Sequence, residues 1–218
     1  MPLVAAHRPA YSRAEFVSDA VVHLAGLALV LMAVPVLIVV TALLRGDAPS
    51  VIGVSIYGAA MLAMIGCSAL YNMTPDAGLT WLYRRLDHSA IYIKIAGTYT
   101  PFTLISGHGL ALTAGVWVAA ALGVVLKIAA PERFRWLALT LYLGMGWAGL
   151  VVGQALIAAL PAPVLVLMVV GGLIYTAGVV FYLWERLPFH TTIWHIFVLT
   201  ATLVFYAAVT TLVVLGAN

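Results

Sequence analysis

Ala90-Ile-Tyr-Ile-Lys-Ile-Ala-Gly97 sets one ammonium group, Lys94, in the middle of an apolar run. A lysine at the centre of a membrane-spanning helix costs about 2.5–3.5 kcal/mol on insertion scales, so it faces a protein interior or a wet cavity rather than lipid. Asp87 lies seven residues earlier, about two helical turns back and on roughly the same face. The helix that carries both therefore takes a polar stripe into an otherwise apolar chain.

That chain has 218 residues, of which 65% are hydrophobic and 8% charged, with a mean hydropathy of +1.14. Soluble domains carry about 25% charged residues. The composition is that of a polytopic, all-α membrane protein, multi-pass in the cell membrane, with membrane lipids as its neighbours. A spanning helix needs about 20 apolar residues, which leaves room for seven or eight spans and no soluble domain. The lone Cys67 excludes an internal disulfide and a cysteine-rich zinc module. The formal net charge of +3 gives no argument for nucleic acid, because the basic residues lie in loops where membrane topology accounts for them.

Apolar runs divided by charged or Pro/Gly breaks predict helices at 18–44, 51–73, 86–106, 109–128, 135–157, 162–184 and 191–216: a seven-transmembrane-helix bundle (18–216) after a polar N-terminal tail (1–17). Arg8, Arg13, Arg84, Arg85, Lys127, Arg133, Arg135 and Arg186 fall on one side of this bundle, and Arg45 alone on the other. The positive-inside rule makes the first side cytoplasmic, so the N-terminus is inside and the C-terminus outside. His23, Ser68, Asn72, Asp87, His88, His190 and His195 then all fall in the cytoplasmic half. Four helices bring polar groups to one depth, which points to a site.

Within this frame Arg85-Leu-Asp-His-Ser-Ala-Ile-Tyr, continuing to Ala96-Gly-Thr-Tyr-Thr-Pro-Phe102, resembles the signature of the hemolysin III family. Phe189-His-Thr-Thr-Ile-Trp-His-Ile-Phe-Val-Leu199 is similar to its last-helix motif, and Ser18-Asp-Ala-Val-Val-His-Leu-Ala-Gly26 to its first helix. The family groups with the progestin and adipoQ receptors and, more distantly, with the alkaline ceramidases. The resemblance implies seven helices with the N-terminus inside, and a zinc ion near the cytoplasmic face. Three histidines would hold that ion, one ending a Ser-x-x-x-His motif in helix two and two in a His-x-x-x-His pair in helix seven. An aspartate of helix three would contact its water. On this chain the aspartate falls on Asp87, the serine on Ser68 and the final histidine on His195. The helix-two histidine is replaced by Asn72, a poor zinc ligand beside imidazole. The remaining one falls on Thr191, with His190 one place earlier.

His195 thus reads as a zinc ligand or as a helix–helix hydrogen-bonding residue. His190 reads as a ligand or as a solvated interfacial residue. The two lie five apart and point about 140° away from each other on an ideal helix, so they converge only if the first turn is distorted. Asp87 reads as a catalytic residue that positions or deprotonates water, or as a helix cap. Ser68 and Asn72 share a face and read as site residues or as interhelical hydrogen-bonding groups, while His23 adds a further polar group at that depth. His88 points about 100° from Asp87 and reads as interfacial; His7 and His108 receive no role. Lys94 is open to three readings: it balances Asp87, replaces part of the metal's charge, or lines a solvated cavity. Gly144 with Ala148, and Gly171 with Gly178, read as close helix packing.

Three functions stay open. One is a zinc-dependent hydrolase of a lipid amide or ester using His195, His190 and Asp87. Another is a non-catalytic cytolytic, membrane-homeostasis or sensor protein. The third is a proton or solute transporter using Asp87 and Lys94.

Overall fold

The computed structural model describes residues 12–74, 78–130 and 134–216. His7, Arg8, Pro131, Arg133 and the end of the chain at Asn218 lie outside these. Among the described residues the fold is entirely helical: α1 (Arg13–Leu44), α2 (Ala48–Met73), α3 (Thr80–Ser106), α4 (Leu110–Ala129), α5 (Arg135–Val152), the short α6 (Gln154–Ala159), α7 (Ala162–Leu183) and α8 (His190–Leu215).

The helix starts follow from local chemistry. Ser12 and Glu15 form a capping box on α1, satisfying two amide donors that a helix start otherwise leaves unpaired. The same Glu15 reaches across to accept the Phe189 N–H at 3.0 Å, which ties the start of α1 to the start of α8. Asp47 caps α2 through the Ser50 N–H at 2.9 Å. Gly107 (φ 72°) and Gly109 (φ 81°) turn the chain between α3 and α4, a left-handed backbone conformation that glycine adopts without steric penalty.

Among the described residues six helices, α1, α2, α4, α5, α7 and α8, are long and apolar enough to cross a membrane. They show large apolar side chains outward, among them Val21, Leu31, Met32, Leu122, Val125 and Val166. At 27 residues α3 is as long as its neighbours, but Arg84, Arg85, Asp87, Lys94 and a run of Tyr and Thr keep its hydropathy low. Packing explains how such a helix is accommodated. It contacts α2, α4, α5, α6 and α8, and Ser89, Ala90, Tyr92, Lys94 and Ala96–Thr103 are all buried. The least apolar long helix is the central one, and its polar groups meet protein instead of lipid. Around it α1–α2, α4–α5, α5–α7 and α7–α8 contacts run on until α8 meets α1, so the first and last helices adjoin.

Small residues set the close approaches. A Cβ on Gly97 would lie 2.6 Å from the Ala60 Cβ, which measures how tightly α3 packs on α2. Gly171 takes the Phe205 ring and Gly178 takes Phe197 and Trp194, as the one-heptad spacing predicts. Gly144 faces open space, so its pairing with Ala148 does not mark a close helix contact.

The predicted fifth helix, 135–157, is interrupted. Gly153 (φ −93°, ψ 35°) separates α5 from α6. A side chain there would run into the Gly149 carbonyl, so the break needs a glycine. Just before it, the Tyr99 hydroxyl of α3 accepts the Gly149 N–H at 2.9 Å and reaches the Met145 and Gly146 carbonyls, each at 2.9 Å.

Candidate functional site

One end of the bundle gathers the starts of α1, α3, α5 and α8 and the ends of α2, α4 and α7. Cross-helix bonds mark it. Ser18 Oγ and Thr192 Oγ1 lie 3.3 Å apart, Arg85 Nε donates to the Ile128 carbonyl at 3.1 Å, and Arg135 meets Glu185 at 2.6 Å. Among the described residues this end holds Arg13, Arg84, Arg85, Lys127, Arg135 and Arg186, and the opposite end holds Arg45.

Asp19, His23 and His195 come together at the basic end, one ligand-capable atom from each lying within 4.8 Å of the others. Helix spacing supplies the first two, because Asp19 and His23 are four residues apart on α1 and share a face. The seam between first and last helices supplies the third. Asp19 Oδ1 accepts a hydrogen bond from His195 Nδ1 at 2.6 Å. His23 Nδ1 is 2.8 Å from the Asp19 carbonyl oxygen and 3.6 Å from Oδ2. The imidazoles meet edge to face with centroids 4.4 Å apart. Asp19 and His23 are 4% and 5% exposed, so this is an interior cluster rather than a solvated pair.

Helices α2 and α3 extend it. Ser68 Oγ lies 3.1 Å from His23 Nε2, and Asp87 of α3 lies close enough to Ser68, His195 and Asp19 to interact with them electrostatically. Ser68, Asp87, His195 and His23 are thereby gathered from four helices. Asn72 stands at the margin: its amide donates back to the Ser68 carbonyl at 2.9 Å, with the Ser68 hydroxyl 3.4 Å away.

His190 is apart from the group. Helix α8 runs regularly from His190, so the five-residue spacing keeps the two rings on different faces, as the angle requires. The His190 ring lies 3.4 Å from Thr191 Oγ1, and its Nδ1 is buried with no hydrogen-bond partner. His88 packs on Tyr71, with ring centroids 6.3 Å apart.

Lys94, 3% exposed, belongs to a different environment. Its Nζ donates to Thr98 Oγ1 at 2.8 Å and sits 4.6 Å from the Tyr57 ring centroid. No ion pair joins it to Asp87 among the described residues. One hydrogen bond and a cation–π contact, the latter worth about 0.5–2 kcal/mol, accommodate its ammonium.

The residue that sequence reading missed as a site group is Asp19. It lay inside the quoted first-helix motif, and its i,i+4 spacing from His23 was the available signal.

The site's sequence context is shared with known proteins. The family model described as haemolysin-III related matches residues 13–206. The chain belongs to the haemolysin-III family. A hemolysin-3 homolog of Bacillus subtilis (strain 168) is 37% identical over 190 residues, covering 85% of this chain and 88% of that protein. Hemolysin-3 of Bacillus cereus is 36% identical over 188 residues, 85% of each chain. The human monocyte to macrophage differentiation factor is 29% identical over 168 residues, 71% of this chain and 67% of its own. As a haemolysin-III protein with six apolar helices, the chain is a multi-pass integral protein of the cell membrane, in contact with membrane lipids. The Asp19–His23–His195 cluster lies within the part that matches the family.

Proposed function

We propose that this haemolysin-III protein is a seven-span hydrolase with its N-terminus in the cytoplasm, cleaving an amide or ester bond of a membrane lipid at the Asp19–His23–His195–Asp87 cluster. The observation that carries this reading is a set of two imidazoles and a carboxylate gathered within 4.8 Å, with the Asp87 carboxylate and the Ser68 hydroxyl beside it. The seventh span is α3, whose polar groups are sheltered by its neighbours. The basic end of the bundle supports the orientation through the positive-inside rule.

The donor set fits zinc, which takes imidazole nitrogen and carboxylate oxygen. When bound, zinc polarises a carbonyl and brings the pKa of a water down to about 7. The chain's own residues supply the rest. Asp87 is placed to accept a proton, and Ser68, whose hydroxyl lies 3.1 Å from His23 Nε2, holds the His23 ring. Asp19 fixes the His195 ring. A lipid substrate reaches the cluster from between helices that already face lipid.

Purified protein in lipid nanodiscs, supplied with a fatty-acid amide and a fatty-acid ester of a lipid headgroup, should release free fatty acid. Replacing a proton acceptor costs about 10²–10⁴-fold in rate, so Asp87→Asn should fall in that range and His195→Ala at least as far. Release by the unmodified protein no faster than by Asp87→Asn would overturn the reading.

A second reading takes its support from the names of the two Bacillus relatives, a hemolysin-3 homolog and hemolysin-3: a non-catalytic protein that permeabilises membranes. Dye leakage from vesicles, undiminished in Asp87→Asn, would favour it. Transport along an Asp87–Lys94 path has weaker support, since Lys94 is engaged by Thr98 and Tyr57.

A further inference from the structure

Hydrogen bonding fixes which nitrogen of each imidazole is available. His23 Nδ1 faces the Asp19 carbonyl oxygen at 2.8 Å, and a carbonyl oxygen accepts but never donates. Nδ1 therefore carries the hydrogen, and in the neutral ring the lone pair is on Nε2, turned toward Ser68 Oγ at 3.1 Å. His195 repeats the pattern. Its Nδ1 faces Asp19 Oδ1 at 2.6 Å, so that nitrogen donates and Nε2 holds the lone pair. One residue thus sets the tautomer of both rings, through its backbone for one and its carboxylate for the other. Metal-binding histidines commonly donate their second ring N–H to a carboxylate or a backbone carbonyl, which orients the ring and raises its basicity.

We infer that Asp19 is a positioning residue and not a ligand, that His23 and His195 bind a zinc-like dication through Nε2, and that His23 supplies from α1 the imidazole that Asn72 does not supply from α2. This rests on the metal reading above and adds the ligand atoms and the division of roles. The alternative division makes Asp19 itself the third ligand. The two differ in what Asp19→Asn does. An asparagine oxygen still accepts the His195 Nδ1–H, and the backbone carbonyl that holds His23 is untouched. Loss of an orienting partner costs about 10–100-fold in metal affinity; loss of a ligand costs more.

The test uses full-length protein in detergent, stripped with a chelator and titrated with zinc against a chromophoric competitor. His23→Ala and His195→Ala should each weaken zinc more than 100-fold, and Asp19→Asn no more than the 10–100-fold of an orienting partner. X-ray absorption on the zinc-loaded unmodified protein requires no variant and should show two imidazole shells, unchanged in Asp19→Asn. The inference is overturned if the unmodified protein binds no zinc, if one imidazole or none appears, or if Asp19→Asn loses as much affinity as His23→Ala together with an oxygen scatterer. Zinc bound in the expected pattern without fatty-acid release would sink the hydrolase reading and leave this one standing. Fatty-acid release by protein that binds no zinc would do the reverse.

Discussion

Lys94 shows how far a single buried charge can be supported without a counter-charge among the described residues. Its ammonium has one hydroxyl partner and one aromatic face, and Tyr57 beside it keeps a buried hydroxyl with no partner. A lysine at the centre of a membrane span would cost about 2.5–3.5 kcal/mol, and neither contact recovers the whole of that. Lys94→Met, of similar length and without charge, should therefore leave thermal stability in detergent unchanged or raise it; a clear fall would mean that Lys94 holds a partner beyond Thr98 and Tyr57. The presence of a polar site was readable from residue types alone, because Ser68, Asp87, His23 and His195 share a depth once the helices are counted. Asp19 was not, since a carboxylate in the first turns of a helix has an ordinary reading as a cap or an interfacial charge. Only the packing of α8 on α1 distinguishes these readings, and that contact spans 176 positions.

Element boundaries divide in the same way between local and tertiary causes. The caps at Ser12 and Asp47 are local chemistry and are visible in sequence. The interruption at Gly153 depends on where the Gly149 carbonyl lies, and Tyr99 reaches that turn from another helix. Tyr99→Phe removes an oxygen that both accepts the Gly149 N–H and donates to carbonyls of α5. A buried polar group left unpaired costs about 1–3 kcal/mol, and thermal unfolding in detergent should occur earlier by a corresponding amount, with faster amide exchange at Gly149. Unchanged stability would show that α5 closes the gap with its own backbone. At the other end of the molecule Asp47, in the turn before α2, has its carboxyl held below the usual range. The Ser50 hydroxyl is the main cause, followed by the Ser50 N–H and then Arg45. A depressed folded-state pKa stabilises above the ordinary aspartate value, about 3.9, and that contribution is lost as pH falls through the lower folded value. Protection of the Ser50 amide, the slowing of its exchange relative to an unstructured peptide at the same pH, should be high at neutral pH and fall below about pH 4. A flat profile across that range would remove the cap from the account.

Over the whole molecule, the arrangement of charge and the meeting of the first and last helices belong together. A reporter that is active only in the cytoplasm, fused after Asn218, should stay silent, and the same reporter placed before Met1 should be active. Activity at both ends would make the number of spans even and return α3 to a non-spanning role. Composition made the class of protein legible, and the loop charges suggested an orientation; the central place of α3 came from packing, because a helix of low hydropathy reads equally as a span or as a surface element until its neighbours are known. The bond between Asp19 and His195 also has a consequence in time. A membrane chain is inserted in the order in which it is synthesised, so α1 enters with its carboxylate and imidazole long before α8 leaves the ribosome. Through that interval Asp19 lacks the ring it later holds, and the cluster has no second imidazole. A chain stopped anywhere before His195 would not be a weakened version of this protein but one whose cluster was never assembled.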